Sequence, residues 1–507
     1  MITLDPYYRE HYRELYPALL AIMLHGIRVD LPLAKKLYNE FAVEKEGVKD
    51  KLDELADGFK LYAIKRSRSK LYTKHLAEQK RVKERKAEVK GDEEAVKALN
   101  AALKELAAKS REIRASGAQT TFARGSGLSD KKLKQFFYAT LGFRTRRRGG
   151  KMKLDKTALM TLRREHPERA PLIDTIIRHR KLEKLMDYTD ASAFDSDGRF
   201  RFTLRPAGTT TGRLASNENP RGTGYNSQNI DRLIKRIFVP DEGKFFLEAD
   251  LSQVEDRIFK VLTSDPELIA LAKRDPREFD VHRYMASEIL GTPPEQVTSE
   301  KRHTSKRLVY LTNYDGQPQR MSEVLISEGV PTTVEECAKF RAAYYARFPG
   351  IPLYKERLKM QVIEHRELQS SWGTVIRFAD PDDYARYTER MDDELFKQCY
   401  AWRPQHEAGR LLLLCGIKPL YDHIRENGLE SRINLTVHDS LVVSTTLAEW
   451  REIARFVKEH LEASRVYDGV ELGIPVAFRL GMRYGEGFEF YGPDEVSDEQ
   501  VMEALKQ

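Results

Sequence analysis

Two strand-like regions separated by a long helical region constrain the fold of this chain most strongly. Phe245–Ala249 is a short apolar run that indicates a buried strand. Residues 433–444 have the pattern of a β-hairpin, two strand-like runs joined by a short turn, and the tip of that hairpin carries His438 and Asp439. Between the two regions, residues 266–414 show mostly helical spacing of their apolar side chains. This order predicts one sheet interrupted by a helical insertion.

Positive charge is concentrated in one region. The chain has 86 Lys and Arg residues against 78 Asp and Glu, a net charge of +8. Residues 60–90 alone hold 12 basic and 3 acidic side chains, so the rest of the chain is close to neutral. A solvated helix face is the alternative interpretation, but such faces usually mix signs. The basic region therefore favours nucleic acid as a partner.

Several classes of protein are excluded. No run of about 18 apolar residues occurs, which excludes a membrane span. The N-terminus lacks the basic and apolar regions of a signal peptide. The cysteines, Cys337, Cys399 and Cys415, lack zinc-like spacing and are too few for a disulfide framework. We therefore expect a reduced, cytoplasmic protein without a membrane partner.

Two aspartates stand out beside the predicted strands. Asp250 follows the apolar run, and Asp439 lies at the hairpin tip. A carboxylate at the end of a buried strand is costly unless it is paired or metal-bound. Taken singly, each fits a turn or a helix cap. Together they could hold two divalent cations about 3.5–4 Å apart for phosphoryl or nucleotidyl transfer, although spacing alone does not establish that they meet.

A second group of candidate residues recurs every four positions. Arg302, Lys306, Tyr310 and Tyr314 would form one stripe along a helix. Two cations followed by two aromatic rings suit a triphosphate at one end and a base at the other, and the alternative is a solvated basic helix. Arg213, in a Thr-Gly-Arg-Leu stretch, fits a loop arginine. Beside a duplex it could reach minor-groove acceptors, which occupy similar places in A·T and G·C pairs.

These motifs occur in the order found in a known family. The segment that begins at Asp250, Asp-Leu-Ser-Gln-Val-Glu-Asp-Arg-Ile, resembles motif A of the family A, bacterial DNA polymerase I-like DNA polymerases. The stripe from Arg302 to Tyr314 resembles their motif B, and Val-His-Asp439 resembles their motif C. Three shorter segments follow the family's order between these landmarks: Thr-Gly-Arg-Leu at 211–214, Gln-Asn-Ile at 228–230 and Asp-Val-His-Arg at 280–283.

The resemblance implies an α+β fold shaped like a right hand. Residues 1–190 would form a helical thumb, with a long basic helical hairpin at about 40–115. Residues 191–264 and 398–507 would form an antiparallel-sheet palm. Residues 265–397 would form helical fingers inserted in the palm.

The resemblance also implies a function, a template-directed DNA polymerase that adds dNTPs to a primer 3′-OH. Two Mg²⁺ ions, with Mn²⁺ as a substitute, would be held by Asp250 and Asp439, and Lys306 would donate a proton to pyrophosphate. Glu255 would exclude a ribose 2′-OH. The positions matched to nucleotide-binding side chains are Arg302, Lys306, His282, Tyr310, Tyr314, Glu255 and Gln253. The positions expected to bind DNA are Arg213, Gln228, Asn229, His438 and, in the basic region, Lys65, Arg66, Arg68 and Lys70.

The chain departs from the family pattern in motif B and directly after motif C. Asp315 separates Tyr314 from Gly316, where the family usually has Tyr-Gly. Ser440 stands where an acid usually follows motif C, which leaves two metal carboxylates instead of three.

Two other functions remain alternatives: a catalytically inactive primer–template-binding protein, and a relative of the single-subunit RNA polymerases. Glu255 argues for deoxynucleotides, and the joint presence of Asp250, Asp439 and Lys306 argues against an inactive protein. No pattern of a 3′–5′ proofreading exonuclease or of a 5′-nuclease is found in the chain. We therefore expect polymerisation without either activity, with a separate exonuclease or processivity factor as a partner. The expected location is the nucleoid region of a bacterial or phage-infected cell.

Overall fold

The computed structural model describes most of the chain but little of the basic region. The described residues are 6–56, 61–63, 77–86, 93–115, 118–120, 128–145, 147–148, 151–206, 208–378 and 392–506. Lys65, Arg66, Arg68 and Lys70 lie outside them, so the expected contact of these side chains with DNA stays a prediction.

Helices dominate the structure. Within the described residues, no helix is both long enough and apolar enough to cross a membrane. The α-helices are α1 (Pro6–His25), α2 (Leu31–Leu55), α3 (77–86), α4 (Glu93–Ala115), α5 (Asp130–Lys134), α6 (Lys156–Glu165), α7 (Ala170–Thr189), α8 (Arg232–Lys235), α9 (Val254–Leu262), α10 (Pro266–Ala272), α11 (Val281–Leu290), α12 (Ser299–Asn313), α13 (Pro318–Ser327), α14 (Val334–Arg347), α15 (Gly350–His365), α16 (Asp392–Arg410), α17 (Lys418–Glu426), α18 (Trp450–Glu462) and α19 (Asp498–Ala504).

In the part of the chain that the structure describes, all strand pairs are antiparallel. The strands are β1 (Ile27–Val29), β2 (Leu61–Ala63), β3 (Ala118–Thr120), β4 (Arg147–Arg148), β5 (Lys151–Met152), β6 (Arg199–Phe200), β7 (Thr203–Arg205), β8 (Ala215–Asn217), β9 (Phe238–Val239), β10 (Phe245–Leu251), β11 (Glu367–Gln369), β12 (Val375–Arg377), β13 (Arg432–Val437), β14 (Ser440–Thr445), β15 (Arg465–Tyr467), β16 (Val470–Leu472), β17 (Val476–Gly481) and β18 (Phe488–Phe490).

Residues 41–183 form the smaller of two compact units. Its core is apolar and includes Phe136, Phe137 and Phe143. The ring of Phe143 stacks on that of His166, with the ring centroids 3.7 Å apart. The expected helical hairpin at about 40–115 is helical over most of its described length, but it contains strand β2. That segment is extended because it pairs with β3.

Residues 1–40 and 184–507 form the larger unit, built on a five-stranded sheet with the order β13-β14-β10-β17-β18. The predicted strand at 245–249 continues to Leu251, so Asp250 lies inside the strand and not after it. The reason is that β10 is central, and Asp250 is in register with Ser440 on one side and Ala477 on the other. Both neighbours keep the backbone extended.

Helices α9 to α17 lie in sequence between β10 and its neighbour β14. The prediction of one sheet interrupted by a helical insertion is therefore confirmed. Helix α12 holds most of the predicted stripe, but it ends at Asn313 and leaves Tyr314 as its C-cap. The helix stops there because Asp315 has a positive φ of 58° and the Gly316 amide donates to the Leu311 carbonyl at 2.7 Å.

Candidate active site

Asp250 and Asp439 meet at one end of the central strand pair. The Leu251 amide donates to the Asp439 carbonyl at 3.1 Å, which joins the hairpin tip to β10. Burial, and then the negative charge of Asp439, raises the pKa of Asp250 to about 7. Burial also raises the pKa of Asp439. The antiparallel register thus brings together two carboxylates that are 189 positions apart in the sequence.

This pair of carboxylates fits a divalent cation. Within the described residues, neither Asp250 nor Asp439 forms an ion pair with a cationic side chain, and the charge of Asp439 raises the cost of ionising Asp250. Carboxylate oxygens are the protein ligands that Mg²⁺ prefers, and a bound cation would relieve the repulsion. Among the described residues no group of three or more His, Cys, Asp or Glu side chains could hold a metal.

The hairpin tip is held by Gln228, a side chain that the sequence analysis expects to bind DNA. The Gln228 amide group donates to the Thr436 carbonyl at 2.6 Å and accepts from the His438 amide at 3.0 Å. His438 itself has a positive φ of 54°. Both polar atoms of the Gln228 side chain are therefore used on the backbone next to Asp439. Asn229 and His438, in contrast, expose their side chains.

Glu255 is the centre of a hydrogen-bond network beside the two aspartates. It lies in the first turn of α9, two residues after Gln253, the N-cap of that helix, which has a left-handed φ of 55°. The Tyr314 hydroxyl donates to Oε1 of Glu255, and Arg213 forms an ion pair with Oε2. Gln405 also donates to Oε1 at 3.2 Å. Sequence reasoning named Glu255, Tyr314 and Arg213 as site residues but did not foresee that Arg213 and Gln405 contact Glu255.

Helix α12 presents its cations and Tyr310 on one stripe, as predicted. Arg302 donates to Asp280 at 2.6 Å. Burial, and then the charge of Arg302, lowers the pKa of Lys306. Burial raises the pKa of Tyr310 well above its usual value, and the charge of Asp439 contributes to that rise. The stripe therefore lies within electrostatic range of the hairpin tip.

His282 completes this side of the site. It is 3% exposed, and its ring centroid lies 6.3 Å from that of Tyr310. Burial lowers the pKa of His282 to about 4, so the ring is neutral near pH 7. Its Nε2 atom has no hydrogen-bond partner among the described residues. A buried ring nitrogen in this state is suited to an incoming polar ligand.

A buried ion pair on α9 was not foreseen. Lys260 pairs with Asp256, and their side chains are 2% and 1% exposed. Oδ1 of Asp256 has no hydrogen-bond partner among the described residues. The spacing of four residues was the available signal in the sequence, but a helical pair of this kind is usually solvent-exposed.

The larger part of the chain matches a known family. Residues 93–486 match the model described as DNA polymerase family A. The chain belongs to this family. A DNA polymerase of Bacillus phage SP01 is 28% identical to this family A chain over 295 residues, which are 56% of the chain and 31% of that relative. The thermostable DNA polymerase I of Thermus thermophilus is 28% identical over 343 residues, which are 66% of the chain and 38% of that relative. The alignments thus cover well under half of either relative.

The fold is shared with a solved member of the family. The POL domain of Pol1 from M. smegmatis, solved in complex with DNA primer-template and dNTP, has a TM-score of 0.69 and 22% identity. The match covers 93% of this chain and 70% of that one. The α+β polymerase fold expected from the motifs is therefore confirmed.

Proposed function

We propose that this chain is a template-directed DNA polymerase that adds dNTPs to a primer 3′-OH. The observation that carries the proposal is the meeting of Asp250, on β10, with Asp439, at the tip of the adjacent β13–β14 hairpin, beside Glu255. Membership of family A supports it, and so does the solved neighbour that holds primer-template and dNTP. The partners would be primer–template DNA and dNTPs. The expected location is the nucleoid region of a bacterial or phage-infected cell.

The proposed chemistry assigns two Mg²⁺ ions to Asp250 and Asp439. When bound, such ions lower the pKa of an attacking hydroxyl and neutralise charge on a leaving pyrophosphate. Arg302 and Lys306 would bind the triphosphate through charge-assisted hydrogen bonds. Lys306 would also give a proton to pyrophosphate, and its lowered pKa favours that transfer. His282 would donate a hydrogen bond without adding charge.

Glu255 would select the sugar. Tyr314 and Arg213 bind its two carboxylate oxygens and so fix the orientation of the group. A ribose 2′-OH entering beside this carboxylate would crowd it or displace one of these partners. A deoxyribose would avoid both costs, which favours dNTPs and disfavours the RNA polymerase alternative.

The remaining segments would grip and enclose the DNA. In the proposed hand, residues 1–190 are the thumb, residues 191–264 and 398–507 the palm, and residues 265–397 the fingers. The basic region at 60–90 and Arg213, Asn229 and His438 would contact DNA, with phosphate contacts giving affinity and little sequence preference.

Primer extension tests the function. The wild type should extend a primer with dNTPs and Mg²⁺, whereas Asp250→Ala and Asp439→Ala should abolish extension and leave DNA binding largely intact. Asp494→Ala is the matched control, because Asp494 is an exposed aspartate paired with Arg455. Substantial extension by either active-site variant would contradict the metal assignment, and a wild type that binds DNA without extending it would favour the inactive clamp.

The same assay tests the sugar choice. Glu255→Ala should raise the use of rNTPs relative to dNTPs. A wild type that prefers rNTPs would favour the RNA polymerase alternative, and an unchanged ratio in Glu255→Ala would remove Glu255 from this role.

We also propose that these 507 residues polymerise without proofreading, so that a separate exonuclease would supply that activity. Hydrolysis of a primer end would need a further carboxylate cluster. A mismatched 3′ end should therefore persist when it is incubated with pure protein and Mg²⁺ without dNTPs. Metal-dependent shortening from the 3′ end would contradict this proposal.

A further inference from the structure

Asp315 occupies a backbone position that favours glycine. Its φ of 58° is left-handed, and its amide donates to the Thr312 carbonyl at 3.0 Å as α12 ends. Glycine adopts this conformation without a steric penalty, whereas aspartate does so at some cost. The backbone therefore gives no reason for a carboxylate at this position, and the reason must lie in the contacts of the side chain.

The carboxylate of Asp315 is bound by four side chains. Its Oδ1 atom accepts from Arg341 at 2.7 Å, from Lys355 at 3.2 Å and from the Tyr345 hydroxyl at 3.3 Å. Its Oδ2 atom accepts from Gln317 at 3.1 Å. Arg341 and Tyr345 belong to α14, and Lys355 belongs to α15. We call Asp315, Arg341, Tyr345 and Lys355 the fingers anchor, because they tie the end of α12 to two other helices.

Lys355, the more deeply buried cation of the fingers anchor, depends on Asp315 for its neutralisation. Lys355 is 6% exposed, and its ammonium group also donates to the Thr312 carbonyl at 2.6 Å and to the Tyr345 hydroxyl at 2.7 Å. Carbonyl and hydroxyl oxygens solvate an ammonium group but do not neutralise it. A buried charge needs an ionic partner, and Asp315 is the carboxylate that Lys355 contacts among the described residues.

Both chain neighbours of Tyr314 are held in place by side-chain hydrogen bonds. On one side, the Tyr344 hydroxyl donates to Oδ1 of Asn313 at 3.0 Å, and on the other side Asp315 is bound by the anchor. The hydroxyl of Tyr314 reaches Glu255 on α9. The orientation of Tyr314, and with it the hydrogen bond to Glu255, is therefore set by how firmly its two neighbours are held.

We propose that Asp315 is a positioning residue for sugar discrimination. By binding Lys355 and Arg341, it holds the end of α12 in the orientation in which the Tyr314 hydroxyl contacts Glu255. That contact fixes the carboxylate that meets the 2′ position of the incoming nucleotide. The inference rests on the polymerase function proposed above and adds to it a residue outside the site itself.

The test compares the specificity constants, kcat/KM, for rNTP and dNTP incorporation. Asp315→Asn preserves the size of the side chain but removes its charge. Asparagine, like aspartate, tolerates the left-handed backbone. Loss of one well-placed hydrogen bond at Glu255 corresponds to a rise of about three- to tenfold in the rNTP/dNTP ratio. Glu328→Gln is the matched control. Glu328, at the end of α13, pairs with Arg307 of α12 away from Tyr314, so this variant should leave the rNTP/dNTP ratio unchanged.

A second variant separates positioning from loss of stability. The double variant Asp315→Asn/Lys355→Met removes the most deeply buried charge that Asp315→Asn leaves unpaired, whereas Arg341 is 25% exposed and reaches water. It is therefore expected to fold at least as well as Asp315→Asn. It should keep the raised ratio, because the anchor is still missing. Return of the ratio to the wild-type value would show that an unpaired charge, and not the lost anchor, caused the effect, and would overturn the proposal.

A third comparison tests the route through Glu255. In a Glu255→Ala background, Asp315→Asn should add nothing further to the ratio, since the carboxylate it positions is gone. Equal effects in both backgrounds would overturn the proposal, as would an unchanged ratio in Asp315→Asn while the wild type extends primers normally. Failure of the wild type to extend primers would overturn the proposed polymerase function, and this inference with it.

Discussion

Replacing Asp250 with asparagine is expected to stabilise the metal-free protein, although it should abolish primer extension. The reason is that burial and the charge of Asp439 raise the pKa of Asp250 from 3.8 to about 7. Between about pH 4 and pH 7 the folded protein therefore binds a proton that the unfolded chain releases, so the free energy of unfolding falls as the pH rises. Asparagine removes the ionisable group at nearly the same size.

The magnitude follows from this change in pKa. For a fully buried carboxylate, a rise from 3.8 to about 7 corresponds to about 4 kcal/mol. Asp250 has a solvent-exposed side, and screening by water reduces the expected gain for Asp250→Asn to about 1–2 kcal/mol at pH 8. Below about pH 4 the difference should vanish, because the carboxyl group is protonated in both states.

Magnesium should reverse the order of stability of the wild type and Asp250→Asn. A cation that binds only the folded wild type at 100 times its Kd adds about 2.7 kcal/mol of stability. The variant, with one carboxylate left, should gain much less. We therefore expect Asp250→Asn to be more stable than the wild type in EDTA and less stable in saturating Mg²⁺.

The assay is urea denaturation followed by tryptophan fluorescence at pH 4 and pH 8, with EDTA or Mg²⁺. The three tryptophans, Trp372, Trp402 and Trp450, all lie in the larger unit, so the signal reports the unit that contains the site.

The control variant should behave in the opposite way. Asp241 is also partly buried, but His25 and Arg199 bind it and hold its pKa below the usual range against the effect of burial. Asp241→Asn should therefore destabilise the protein at pH 8, with or without Mg²⁺. A loss of stability for Asp250→Asn in EDTA at pH 8, or a gain that is the same at pH 4, would refute the proposed repulsion between the two aspartates.

Three further predictions concern neighbouring side chains. Tyr310→Phe should raise discrimination against dideoxynucleotides by a few-fold to about a hundredfold in competition assays, because the wild-type hydroxyl can replace the missing 3′-OH. An equal loss for both substrates would contradict this. Gln228→Met should lower the kcat of extension at least about tenfold with little change in DNA affinity, because it removes the hydrogen bonds that hold the backbone next to Asp439. Loss of DNA affinity alone would indicate that Gln228 contacts DNA directly. Lys260→Met should cost about 3–5 kcal/mol in urea denaturation, and adding Asp256→Leu should recover most of it; additive losses would refute the coupling.

Sequence reasoning succeeded where the signal was local. The hairpin pattern at 433–444 and the apolar run before Asp250 located the strands of the site, and the four-residue repeat from Arg302 located α12. The meeting of Asp250 with Asp439 depended on the register between β10 and β14, which no spacing encodes. The family resemblance supplied that expectation instead.

The missed features depend on contacts between distant segments. Arg213 carries no local signal for its pairing with Glu255, because a loop arginine is equally suited to phosphate or to a carboxylate. Gln228 was expected as a DNA contact, which stays a prediction, and no local pattern signals that both polar atoms of its amide also bind the hairpin backbone. Asp315 stood out in the sequence as a departure from the family pattern, but its role required the positions of Lys355 and Arg341.

The position of β10 in the sheet has a consequence for how the protein is made. Both neighbours of this strand, β14 and β17, are translated long after it. Closing the 189-residue separation between Asp250 and Asp439 costs about 5 kcal/mol of chain entropy, which short-range contacts cannot offset. The apolar residues Phe245, Phe246 and Leu247 therefore remain an unpaired edge on the ribosome until residue 481 has emerged, and an unpaired apolar strand invites aggregation. A nascent chain stalled within the helical insertion should accordingly need a chaperone more than either a shorter or a complete one.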